Sequence, residues 1–192
     1  LQGLGYDVTM TQNPADLELS NLASYDALVL FLIFPGELGS YQDDIEQFVS
    51  VGGALYIHQP NAAGTVVYAP TGFEVTIADQ GFSTVEPCIV DPGHPITSGL
   101  ANIDVSGVYD QVGSIGPGYT NVLVEHCAQG FPALALGEYG GGLVVFDVSH
   151  LATGTIHPPS DAFVVQLMDY ICQHGTVSTQ AESWSQLKGM FD

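Results

Sequence analysis

ALVLFLIF, residues 27–34, is an unbroken run of apolar side chains. A strand of this kind is stable only where both of its faces are buried, which is the situation of a central strand in a parallel sheet. The run therefore predicts an α/β domain. Working outward, residues 6–11 (YDVTMT) alternate and carry β-branched side chains, predicting a second strand, and residues 1–5 (LQGLG) read as the last turn of a helix closed by Gly5. Asn13-Pro14 opens a loop and residues 17–24 predict a short helix, the crossover that two parallel strands require. On the other side, Ser40 is placed to cap a helix whose first turn holds Asp43 and Asp44. Its apolar face is Ile45, Phe48 and Val49, and Gly52-Gly53 ends it.

Residues 54–58 (ALYIH) predict the next strand, which runs into the loop Gln59-Pro60-Asn61. Beyond it the pattern shortens. Residues 73–77, 83–90 and 121–126 read as brief strands between Gly- and Pro-rich turns, antiparallel in character. Residues 132–136 and 142–148 predict a hairpin across 138–141, its second strand rejoining the main sheet. Ser160 caps a helix over 161–174 that Gly175 closes. The domain thus spans residues 1–175. Residues 176–192 read as a polar linker and a short helix at 181–188 presenting Trp184 and Leu187 on one side.

Composition narrows the partners. The chain has 192 residues, 46% of them hydrophobic, with 21 Asp and Glu against a single Lys or Arg, Lys188, for a formal net charge of -20. Nucleic acid binding requires basic residues to neutralise phosphates, so it is excluded. Anionic membranes and phosphorylated substrates are disfavoured on the same ground. Divalent cations, neutral sugars and protein surfaces remain. Carboxylates without counter-charges repel one another, and salt relieves that repulsion, which fits an extracellular setting; an acidic cytoplasmic protein is the alternative. No apolar run reaches the ~20 residues of a bilayer span. Cys88, Cys127 and Cys172 lack the spacing of a metal knuckle or a redox pair. Cys88 and Cys127 each lie in or beside a predicted strand. Two arrangements stay open, a disulfide between them or three buried thiols.

The succession LGYDVT, LASYDALVLF, DDIEQFVSVGGALYIHQ, DPGHPITSGL and PALALGEYGGGLVVFDVSH resembles the class I glutamine-amidotransferase-like superfamily. It is most similar to ThuA-like (trehalose-utilisation) domains and related domains of secreted bacterial surface proteins, over residues 1–172. The resemblance implies a flavodoxin-like or Rossmann-like wound, mainly parallel sheet with helices on both faces and an inserted antiparallel region. It also implies a nucleophilic Cys just after the strand ending at His58, and a His and a Glu at the end of a later strand. Here His58-Gln59 stands at the nucleophile position, His150 matches the later His, and Ala152 stands where the Glu belongs. With the thiolate missing, amidotransferase chemistry is not expected.

Ligands of open parallel sheets bind beyond the carboxyl ends of the strands. The cleft candidates are therefore Glu37, His58, Gln59, Asn61, Asp110, His150 and His157, with Tyr41, Tyr109 and Tyr119 as faces on which a sugar could stack. His58 and His150 with a carboxylate would suit a divalent cation; the alternative is that both rings bond backbone carbonyls. His94, in HPITSGL, reads as structural. Members of the resembled family begin with a central strand ahead of LGYDVT, so the resemblance implies an absent first strand, its slot filled by upstream sequence or by a neighbouring copy. Three functions follow as expectations. They are a non-catalytic structural or self-assembly module of an extracellular or cell-surface protein, partnered by itself or by other domains; a carbohydrate-binding module; and a ThuA-like, metal-assisted sugar enzyme.

Overall fold

The computed structural model describes residues 6–31, 39–58, 64–66, 70–84, 87–101, 108–148 and 161–175. A 3-10 turn at Pro14–Leu17, with Asn13 accepting from the Ala15 amide, leads into the single turn α1 (Leu19–Leu22) and then the strand β1 (Ala27–Phe31). The short helix expected over 17–24 is thus a single turn within that range. A second 3-10 turn, Gly39–Tyr41, precedes α2 (Gln42–Ser50). Ser40 lies inside that turn, so Tyr41, without a side-chain bond, takes the capping position expected of Ser40. Then come β2 (Ala54–His58), β3 (Gly64–Val66), β4 (Val75–Thr84), β5 (Pro87–Ile89), β6 (Val108–Ile115), β7 (Asn121–His126), β8 (Pro132–Tyr139), β9 (Gly142–Asp147) and α3 (Asp161–His174). Residues 1–5 and 176–192, with the linker and the short helix expected there, lie outside the described residues.

Six strands form one sheet in the order β1-β2-β9-β8-β7-β5, and β3-β4-β6 form a second. β1, β2 and β9 are parallel, whereas β8, β7 and β5 each run antiparallel to their neighbour. The sheet is therefore mixed, where a mainly parallel one is expected from the sequence. The cause is local. Gly140, at φ 60°, makes a tight turn that folds β9 directly back on β8, so the chain works inward from β7 by hairpins where a crossover helix would have kept it parallel.

The expected strand at 6–11 does not form. An alternating pattern becomes a strand only when a neighbour offers it a ladder, and among the described residues β1 is paired with β2 alone. Residues 6–11 are held instead by Tyr6, whose hydroxyl donates to Asp169 of α3 at 2.5 Å, while Met10 is 87% exposed. Burial, reinforced by that carboxylate, raises the Tyr6 pKa to about 12. The two edges of the main sheet also differ. β5 is three residues long and opens with Pro87, both of which blunt an edge; β1 is longer and apolar, and its Val29 is 41% exposed.

Every side chain of β2 and β9 is buried, so both faces of this central pair are covered; α2 and α3 each pack against both strands. Phe48 of α2, fully buried, lies over Gly53, and Gly142 at the start of β9 meets the carbonyls of Val49 and Gly53. A Cβ at 142 would collide with backbone on two sides, and backbone yields less readily than a side-chain tip. Gly142→Ala is expected to lower stability by about 2–3 kcal/mol, read as a fall in the urea midpoint at constant slope.

Candidate functional site

β2 and β9 are adjacent and parallel, and their register sets His58 beside Asp147. Residues two apart on a strand share a face, so Tyr56 projects on the same side as His58. Adjacent in-register residues also point the same way, which brings the Asp147 carboxylate to both. The Tyr56 hydroxyl donates to Asp147 Oδ2 at 2.9 Å, and His58 Nδ1 lies 3.1 Å from the same oxygen. The hydroxyl and Nδ1 are themselves 3.5 Å apart. The three side chains sit at the carboxyl ends of the parallel strands and are 5%, 1% and 0% exposed for Tyr56, His58 and Asp147.

Burial of this kind is costly unless each polar atom has a partner. Burial first, and the neighbouring Asp147 charge second, push the Tyr56 pKa well above that of an ordinary phenol, so the hydroxyl remains a donor. Asp147 faces a scarcity: the chain holds one Lys or Arg in all, and the carboxylate pairs with the imidazole of His58. The pair carries opposite charges when that ring is protonated.

A carboxylate behind an imidazole fixes the ring's tautomer and orientation, as in acid–base and metal sites alike. Among the described residues no thiol takes part in this hydrogen-bonded set. Cys88 of β5 and Cys127, which follows β7, are joined in a disulfide across a sequence separation of 39, and Cys172 lies exposed on α3. Toward a divalent cation the described residues supply the His58 imidazole and the Asp147 carboxylate, and His150, the second imidazole expected there, lies outside the described residues. No cluster of three or more His, Cys, Asp or Glu suited to a metal occurs among the described residues.

Of the residues singled out from the sequence, His58 occupies this site. Glu37, Gln59, Asn61, His150 and His157 lie outside the described residues. Asp110 belongs to β6, in the three-stranded sheet, and is not on a strand of the sheet that holds His58. Tyr119 is no open stacking face: it is buried edge-on to Phe73 at 4.9 Å and beside Phe146. Its hydroxyl finds no hydrogen-bond partner among the described residues, and burial raises its pKa. Tyr41 is half-buried, and Tyr109 lies in β6. Tyr56 and Asp147 went unremarked in the sequence. Their signal was a polar residue inside each of two otherwise apolar strands, ALYIH and GLVVFD.

No protein-family profile matches the sequence, and no curated protein matches it. Solved structures do. A cytoplasmic protein of Salmonella typhimurium aligns at 17% identity and TM-score 0.56, over 85% of this chain and 76% of its own. A ThuA-like protein of Parabacteroides merdae aligns at 17% identity and TM-score 0.53, over 88% and 77%. A cold-adapted β-galactosidase of Rahnella aligns at 15% identity and TM-score 0.52, over 78% of this chain but 23% of its own, so the chain spans less than a quarter of that enzyme's length. The chain shares the α/β fold of these proteins, a ThuA-like protein among them.

Proposed function

We propose that the chain is a non-catalytic module of the class I glutamine-amidotransferase-like superfamily, serving a structural or self-assembly role in an extracellular or cell-surface protein. The observation that carries this reading is the strand-end position itself. Where the superfamily's chemistry needs an accessible thiolate, this chain has an imidazole that is 1% exposed and tied to Asp147 and Tyr56. The disulfide favours an oxidising compartment, and the excess of acid is suited to a saline one. The outer edge of β1 supports assembly, because an unblunted edge strand is a template for strand addition. That the same fold takes up under a quarter of a β-galactosidase supports a module set within a longer chain.

A second reading rests on the place of the polar triad. It lies at the carboxyl ends of β2 and β9, where sheets of this class hold ligands, and a neutral carbohydrate is the ligand an acidic, cation-poor surface accepts. One set of measurements separates the two. Concentration-dependent self-association by sedimentation, weakened by Val29→Lys, is expected, with no ammonia released from glutamine and no heat on titration with sugars. A saturable sugar isotherm abolished by His58→Ala would favour the second reading. Glutamine turnover, or a monomer at all concentrations, would overturn the first.

A further inference from the structure

Among the described residues, the segment that follows β5 meets α3 through His94 and Ser98. His94 Nδ1 accepts the Ile96 amide at 3.3 Å, the Thr97 and Ser98 amides bond the His94 carbonyl, and the Thr97 hydroxyl donates to the Asp91 carbonyl. Ile96 and Thr97 are completely buried by this turn. Across from it, the His94 ring lies 4.8 Å from that of Tyr170 on α3, and His174 stacks on Tyr170 at 3.9 Å. His174 Nδ1 donates to the Tyr170 carbonyl, and Gln166 donates to the Ser98 carbonyl at 3.1 Å.

An imidazole that accepts through Nδ1 is neutral and carries its proton on Nε2. Protonation places a second N–H at Nδ1, facing the Ile96 N–H, so the bond that shapes the turn becomes a clash of two donors. We propose that His94 is a proton-operated clasp: neutral, it holds residues 91–100 on α3, and protonated, it releases them.

The groups facing His94 pull in different directions. Burial and the charge of His174 lower its pKa, while Asp91 raises it, and the net shift is downward. Tyr170, between the two rings, is a phenol held protonated by burial and by the charge of Glu138. A base whose pKa is lower when the clasp is closed than in the free chain holds it shut in full above about pH 6.5. The hold is lost as pH falls below that value.

Amide hydrogen exchange at pH 7.5 and 5.5 tests this, with the chemical pH dependence divided out and the amides of β9 as the internal reference. Opening at Ile96, Thr97 and Ser98 is expected to rise over that interval, with about tenfold as the upper bound. In His94→Asn, whose Oδ1 can accept the Ile96 N–H without titrating, opening is expected not to change with pH, whether that turn is closed or loosened. An equal acid response in the Asn variant would place the proton on His126 or His174 and overturn the proposal. So would a flat response in the native chain.

Discussion

Replacing Asp147 with Ala is expected to destabilise the domain by about 3–5 kcal/mol, the cost of removing one member of a buried, mutually bonded polar set. The size follows from what is left behind. Tyr56 and His58 would keep their donors at 5% and 1% exposure but lose the oxygen that both address. Neither can turn to water without breaking the core between β2 and β9. Asp147→Asn keeps one acceptor oxygen in place and should cost less, about 1–3 kcal/mol. His58→Ala removes the imidazole that pairs with a buried carboxylate in a chain with one Lys or Arg, and should again approach the cost of the Ala variant. Urea unfolding of the three variants checks the order. Equal, small losses for all three would mean that the triad adds little to stability.

Loss of the Cys88–Cys127 disulfide is expected to cost about 4 kcal/mol, because the bond closes a loop of 39 residues and removes that freedom from the unfolded chain. The bridge also has a local task. It ties β5, paired among the described residues with β7 alone, to the residue just beyond the end of β7. A Cys88→Ala, Cys127→Ala double variant should therefore unfold at markedly lower urea. β5 should fray before the rest, seen as early exchange of the Val90 amide, which donates to the Leu123 carbonyl just past the end of β5. An unchanged midpoint would show that the unfolded chain gains no freedom from the cut.

How much of this is legible in the sequence depends on the range over which each feature is decided. The apolar runs that become β1, β2 and β9 announce themselves, since a strand buried on both faces has little choice of composition. The Gly-Gly turn between β8 and β9 is legible for the same local reason. Strand direction beyond β9 is not, because it depends on whether the chain returns by a turn or by a helix. Residues 6–11 show the limit most clearly: their alternation is that of a strand, but pairing is a property of two segments. At the site, His58 is conspicuous as a polar residue closing an apolar strand. Asp147 belongs with it through a register that joins residues 89 positions apart in sequence, as His58 is paired with Asp147, and nothing local records that register.

The same register shapes how the molecule must be made. β2 is flanked by β1, its near neighbour in sequence, and by β9, which arrives only after β3 to β8 have all been synthesised. The middle of the sheet is thus closed by one of its last strands. A nascent chain carries β2 with one edge unpaired until β9 emerges, and pairing across so long a stretch is slow. Folding should be late and cooperative, with the amino-terminal half in need of shelter until then.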